Sequence, residues 1–343
     1  MLAYFYPTGH EHHASPGHPE RPERVEAIVR GLQAAGWWQP YPKLTPLEPP
    51  PHVLEAVHTP RHLDFLREAS RRGGHVDPDT YLTPQSWELA LQAAGGALSV
   101  AAAVWQGSVQ RGFALTRPPG HHATPSQAMG FCLLNNIALA AEYLLQEHGA
   151  TRLAIVDIDV HHGNGTQDIF YERGEVLFIS VHQWPLYPGT GRLHETGRGA
   201  GQNTTLNLPL PPHTGDQGYL AAMRQLILPV LDRFSPQMIL VSAGMDAHWR
   251  DPLANQLLSA QGYGEMIAHL TRWAGENCRG RIALFLEGGY DLEASSACAQ
   301  AAVAALLGQP CQDPLGPSPW KARPDWQPIV QQSVEQWGAG NRG

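Results

Sequence analysis

Four stretches of this chain are apolar almost without interruption: RLAIVDIDV (152–160), EVLFISVHQW (175–184), QMILVSAGMDAH (237–248) and RIALFLEGGYD (281–291). Between and around them the apolar residues recur with helical spacing, as in NNIALAAEYLLQEHG (135–149), YLAAMRQLILPVLDRF (219–234) and GYGEMIAHLTRWAGENC (262–278). Near-continuous apolar strands separated by amphipathic helices predict a parallel sheet covered on both faces. GFALTRPPGHH (112–122) opens as a shorter strand and runs into a loop, and NTTLNLPL (203–210) follows a long Gly/Pro-rich connection. Upstream, HPERPERVEAIVRGLQAAG (18–36) predicts a helix entered through Pro22, with Val25, Ile28, Val29 and Leu32 on one face. PRHLDFLREASRRGG (60–74) and Pro84–Gln106 predict two more helices. The Pro-rich segment Gln39–Pro51 reads as a loop rather than a domain boundary, because too little chain precedes it to bury a core of its own. The expectation is an α/β protein: one three-layer α/β/α domain over residues 1–310, with a tail, 311–343, packed on it.

In open parallel sheets ligands bind beyond the carboxyl ends of the strands. The polar residues here fall at those ends: Asp157 to His162, Asp246 with His248, Glu287 to Tyr290, and the RPPGHH loop ending in His121 and His122. Asp159 and His161 are separated by one residue, so in an extended segment both side chains face the same way. With Asp246 they make two carboxylates and one imidazole, a donor set suited to a catalytic metal with an open position. A hydrogen-bonded polar strand end is the plainer alternative. One of the adjacent imidazoles, His121 or His122, is placed to take a proton from water, and Asp157 and Asn164 are candidate partners to fix their tautomers. Tyr290, after two glycines, is a candidate donor to a developing oxyanion, or otherwise an amphipathic rim residue.

Composition narrows the picture. The 343 residues are 43% hydrophobic and 16% charged, as in a folded domain, and the formal charge of −8 gives no nucleic-acid footprint. The 18 His nearly match the 23 Lys and Arg. The four Cys are scattered without a CxxC pair, which fits a reducing compartment. The start lacks the pattern of a signal peptide, and the most apolar helix, around Leu89–Trp105, is Ala/Gly-rich and reads as a packed core helix, so a cytoplasmic protein without a membrane partner is expected.

Taken in order, HPERPER, RPPGHHA, GFCLLNNIALAA, DIDVHHGNGTQ, ISVHQWPLYPGTG, SAGMDAHWRDPL and LEGGYD resemble the zinc-dependent histone deacetylase family of the arginase–deacetylase superfamily, with HHGNGTQ and EGGY closer to its class II branch and bacterial relatives. The resemblance implies Zn2+ on Asp159, His161 and Asp246. It implies His121 and His122 as the tandem histidines, with His122 as general base and then acid, and Tyr290 as the catalytic tyrosine. It further implies Phe131 and Tyr187 as walls of an acyl-lysine tunnel, Gly130 at its floor, Leu253 at its mouth, Asp79 on the rim and Arg21 near an acetate exit. A structural K+ is implied around Asp157, Asp159, His161, Ser180 and Val181. Asn164 departs from the class I pattern, where an Asp stands at the matching position.

The activity implied is removal of an acetyl or other acyl group from an amine. The amine would be acyl-lysine in a peptide or a small acylated amine, with homo-oligomerisation open. Three alternatives remain. An acetylpolyamine amidohydrolase would favour an acid where Leu253 stands, although Asp77, Asp79 or Glu195 offer one. A binuclear ureohydrolase would need more bridging carboxylates than GMDAH supplies. A non-catalytic metal-binding module would have lost Tyr290 or a ligand, and none is missing.

Overall fold

The computed structural model describes residues 1–339; residues 340–343 of the tail lie outside the described residues. The strands are β1 (Leu2–Phe5), β2 (Gly74–His75), β3 (Tyr81–Leu82), β4 (Arg111–Ala114), β5 (Leu153–Asp157), β6 (Val176–Gln183), β7 (Thr205–Leu210), β8 (Ile239–Ala243) and β9 (Ile282–Leu286). The helices are α1 (Glu23–Ala34), α2 (Pro51–Val57), α3 (Pro60–Arg72), α4 (Ser86–Gln106), α5 (Asn136–Glu147), α6 (Asn164–Phe170), α7 (Asp216–Ala222), α8 (Leu228–Phe234), α9 (Ala260–Asn277), α10 (Leu292–Leu307) and α11 (Trp326–Ala339). One π-helical turn, Met223–Ile227, joins α7 to α8. Seven strands form one sheet in the order β1-β4-β9-β8-β5-β6-β7, every neighbouring pair parallel. β2 and β3 make a separate antiparallel pair.

The uninterrupted apolar runs have a simple cause: each strand feeds two cores. Ala154 and Val156 of β5, Leu177 and Ile179 of β6, and Leu284 of β9 point to one face, which α1 and α7 to α11 cover. Leu153 and Ile155, Val176 and Phe178, and Phe285 point to the other, beneath α2 to α5. The period-2 pleat therefore sends every second side chain into a different apolar layer, and the central strands β5, β6, β8 and β9 leave no position for solvent.

α4 is long and apolar enough to cross a membrane by length and composition, yet most of it is buried within this molecule, against α5 and β4. β1 and α10 carry no signal in the sequence pattern above. β1 extends the sheet beside β4, and α10 packs between α1 and α9. α11 lays Val330 into the core and packs on β7 and α7.

Candidate active site

The carboxyl ends of β5, β8 and β9, neighbours in the sheet, supply the chemistry. β5 ends at Asp157, and the chain then runs through Asp159 and His161 into α6, which begins at Asn164. Asp159 Oδ1 accepts the His161 backbone N–H at 2.9 Å and lies 3.1 Å from His161 Nδ1, while Asp246 Oδ2 lies 3.2 Å from that same nitrogen. The other two carboxylate oxygens are fixed by the backbone: Asp159 Oδ2 accepts Gly288 N–H at 2.8 Å and Asp246 Oδ1 accepts Val160 N–H at 2.9 Å. Side chains at residues 244 and 288 would run into these carboxylates, so glycine is required at both.

One ligand atom from each of Asp159, His161 and Asp246 lies within 4.8 Å of the others. Asp246 Oδ2 is buried and accepts no hydrogen bond of acceptable geometry, despite its nearness to the imidazole. Burial and then Asp159 push the Asp246 carboxyl upward, while the two carboxylates beside the imidazole, Asp159 and Asp246, overcome burial to hold His161 at about 10. Two buried carboxylates converging on one nitrogen favour positive charge at that point, which a divalent cation supplies better than a proton. The residues fit a metal ion of the zinc or ferrous type. His121, Cys132 and Glu287 also cluster, but Glu287 is already occupied, accepting the N–H groups of Gly120 (2.7 Å) and His121 (3.1 Å) and the Ser242 hydroxyl (3.2 Å). It holds the histidine loop in place.

The paired imidazoles stand 4.0 Å apart and have different partners. His121 Nδ1 is 3.0 Å from Asp157 Oδ2; burial disfavours its cation, but Asp159 and Asp157 outweigh burial and raise its pKa well above the ordinary value. His122 Nδ1 is 2.8 Å from Asn164 Oδ1, and burial, then His121 and His161, lower its pKa well below the ordinary value. An amide oxygen can only accept, so His122 donates from Nδ1 and keeps a lone pair on Nε2. The surroundings thus favour the cation on His121 and the neutral form on His122.

His122 and His161 form the end of a cavity of about 320 Å³ whose sides include Phe131, Tyr187, Leu186, Leu253 and Tyr290. Phe131 follows Gly130, both at positive φ (70° and 54°), and its N–H donates to Thr80 Oγ1 at 3.0 Å. A Cβ on Gly130 would come within 2.5 Å of the His122 ring. Phe131 meets the Tyr290 ring edge-on at 5.7 Å, and Tyr187 meets His122 at 5.1 Å. Tyr290 is fixed through its backbone: its N–H donates to Asp251 Oδ2 at 2.7 Å, and Asp251 Oδ1 accepts Leu253 N–H at 3.0 Å. Burial pushes the Tyr290 phenol well above its ordinary pKa, against the opposing effect of Arg24, so it stays a proton donor.

The structure thus brings Asp159, His161, Asp246, His121, His122, Tyr290, Gly130, Phe131, Tyr187, Leu253 and the exposed Asp79 to one cavity and its wall. Asp157 pairs in register with Ser180 on β6, and Val181 follows it, buried, away from the cavity. One placement needs correcting. Arg21 is exposed, and the arginine against Tyr290 is Arg24, whose guanidinium lies 4.8 Å over the ring and donates to the carbonyls of Gly289 (2.6 Å) and Glu287. Residue 21 precedes the helix, whereas Arg24 sits one turn before Ile28 on the inward face, a signal present in the helical spacing. Glu20 is its buried counter-ion, 3.1 Å from Arg24 and 2.7 Å from Arg117, whose guanidinium also donates to the His10 and His13 carbonyls. Asp251, His18 and Leu186 were likewise given no role by the sequence, and Glu287 was placed at the site only as part of a polar strand end; Asp251 stood in plain view in WRDPL.

A seven-stranded parallel sheet flanked by helices, with a metal-type site at its carboxyl edge, defines the arginase–deacetylase class of fold. The histone deacetylase domain matches residues 18–306, so the chain belongs to the histone deacetylase family. It is 46% identical over 286 residues to a probable deacetylase of Archaeoglobus fulgidus, covering 82% of this chain and 79% of the relative. It is 38% identical over 309 residues to a histone deacetylase-like amidohydrolase of Pseudomonas aeruginosa, covering 88% and 80%. Among solved structures, the HDA15 HD domain superposes with a TM-score of 0.88 at 34% identity, over 99% of this chain and 98% of that one.

Proposed function

We propose that the protein is a zinc-dependent deacetylase that hydrolyses the amide of an acyl-lysine side chain. The observation that carries this is His122 and Tyr290 lining one aromatic-walled cavity with the carboxylate–imidazole trio at its end. Zn2+ held by Asp159, His161 and Asp246 would polarise the acyl carbonyl and lower the pKa of the attacking water. Phe131 and Tyr187 sandwich the aliphatic stem and exclude bulk water. His122 Nε2 takes the proton as water adds to the carbonyl carbon. The Tyr290 hydroxyl donates to the resulting oxyanion. As the C–N bond breaks, His122 returns its proton to the leaving amine, releasing acetate and free lysine. Asn164 holds the His122 tautomer throughout, and the His121 cation, neutralised by Asp157, keeps His122 from protonating early. A K+ between Asp157, Ser180 and Val181 would brace the strand ends from below.

An acetylpolyamine substrate is the second reading. Of the three acids that could read a distal ammonium, only Asp79 lines the cavity; Glu195 instead accepts from Gln167 Nε2 at 2.7 Å. Leu253, half-buried at the mouth, offers no charge, which favours acyl-lysine. The test is turnover of acetyl-lysine peptides against acetylpolyamines by purified, zinc-loaded protein, repeated after chelation. Peptide turnover abolished by chelation and restored by zinc is expected. A strong polyamine preference, or full activity without metal, would refute the reading.

A further inference from the structure

Beside the tunnel lies a wider cleft of about 690 Å³ that the chemistry above does not use. The two share a wall. Leu253 faces the tunnel, while its neighbours Pro252, Ala254 and Asn255 line the cleft. The opposite wall is the strap that follows α10, laid across this end of the sheet. Asp313 Oδ2 accepts Gln261 N–H at 3.2 Å and Trp249 Nε1 donates to Gly316 O at 3.1 Å, while Arg323 N–H donates to His213 O at 3.1 Å. The strap is therefore anchored near both ends, and between the anchors it presents Trp320, Lys321 and Arg323 to the cleft.

Those side chains are distinctive in an acidic protein. Trp320 is 59% exposed and meets Trp249 edge-on at 5.8 Å, making an open aromatic corner. Few large apolar side chains among the described residues are exposed, and another of them, Tyr187, stands at the tunnel. Arg250, on the near wall, is already neutralised by Asp291 and Glu293 at 3.3 and 2.7 Å. Lys321 and Arg323 have no carboxylate within 4.0 Å among the described residues. The tunnel mouth thus has an acidic side at Asp79 and a cationic, aromatic side at the strap. A polypeptide whose lysine stem enters past Leu253 would place its next two to four residues, at about 3.3–3.6 Å each, within reach of the cleft.

We propose that this cleft is a substrate subsite, in which Lys321 and Arg323 bind acidic side chains flanking the acyl-lysine and the Trp249–Trp320 corner takes the peptide against its rings. The inference rests on the acyl-lysine reading. The segment after α10 then acts as a selector, favouring polypeptides rich in Asp or Glu near the modified lysine and disfavouring polycations.

The test uses the full-length, zinc-loaded enzyme and three acetyl-lysine peptides that differ only in flanking residues: Glu, Ala or Lys. For the parent, kcat/KM should fall in that order, with the Glu peptide about three- to tenfold better than the Lys peptide at low salt, the ratio shrinking as salt rises. In K321E/R323E the order should invert, mainly through KM, while an uncharged, single-residue acetyl-lysine amide is turned over as before. Trp320→Ala should weaken all three peptides alike and leave the small amide untouched. Both changes lie on the exposed strap, where loss of fold is not expected. Equal use of the three peptides by the parent, or an unchanged order in K321E/R323E, would overturn the subsite while leaving the deacetylase reading intact. No turnover of any acetyl-lysine substrate, the small amide included, would overturn both.

Discussion

Asn164→Asp exchanges one amide for a carboxylate at the atom that holds His122, the proposed general base. Asn164 Oδ1 is 2.8 Å from His122 Nδ1, so a charge placed there lies about 4 Å from the centre of the imidazolium. At an effective dielectric of about 20 that is worth roughly 4 kcal/mol, or about three pKa units, as an upper bound. Two features of the site subtract from it. Residue 164 is only 7% exposed, so the new carboxylate is itself desolvated. The second oxygen would replace Nδ2, which now faces the His122 carbonyl at 3.5 Å, and oxygen against oxygen is repulsive. A net rise of on the order of one to two units in the His122 pKa remains. Because the base must be neutral to accept a proton, a higher pKa keeps it protonated to higher pH, and the acidic limb of kcat/KM moves up by the same amount. The measurement is kcat/KM from about pH 5 to 9 for both forms, with metal content checked. An acidic limb that stays in place or moves down would show that residue 164 does not act on the base.

Tyr290→Phe should leave KM nearly unchanged and lower kcat by about a hundredfold, the usual cost of one oxyanion donor; near-normal turnover would remove Tyr290 from the chemistry. Leu253→Glu sets a carboxylate at the tunnel mouth and should raise the acetylpolyamine-to-peptide ratio of kcat/KM by roughly tenfold or more through an ion pair to the distal ammonium; an unmoved ratio would mean residue 253 does not face the substrate. Glu20→Gln leaves the buried guanidiniums of Arg24 and Arg117 uncompensated and should cost about 3–5 kcal/mol, read by denaturant melts. The same group predicts acid behaviour. Burial would raise the Glu20 pKa, but Arg117 and Arg24 win and lower it from 4.5 to about 2. Its stabilisation is therefore complete above the unfolded value and is lost as pH falls from about 4.5 through about 2. That part of the acid loss should be absent from Glu20→Gln; an identical acid profile in both would refute it.

The parallel sheet was legible because each central strand serves two apolar layers, so its sequence needs no alternation. β1 was hidden for a related reason: four residues, LAYF, are too few to show a period. α10 was hidden by composition, since its Ala-rich face packs closely on α1 and α9 without large side chains to mark it. At the site, the residues with side-chain roles in the proposed chemistry were visible: Asp159, His161, Asp246 and Tyr290 by type and position at strand ends, and the His121–His122 pair, of which only the family resemblance singled out His122. Those that act through backbone groups were not. Glu287 and Asp251 each gather N–H groups from other segments, and nothing in a linear sequence shows which N–H groups a carboxylate will meet. Arg24 was missed in favour of Arg21 because the two share one short basic motif and only helix register separates them.

The Glu20–Arg24–Arg117 cluster also bears on the order in which the chain can fold as it is made. Arg24 emerges from the ribosome early, but the carbonyls it binds, of Glu287 and Gly289, lie 263 and 265 residues further along. At about 5–20 residues per second the arginine waits roughly 15–50 s for its partners. Contacts of such separation form late, after the strands between them have paired. The floor beneath Tyr290 is thus closed by the last strand to be synthesised, β9, and the metal-type site cannot be complete until β9 and Gly288, which donates to Asp159, have emerged. Chains halted before β9 should remain open to protease around residues 10–24, and protection there should appear only once β9 has left the exit tunnel.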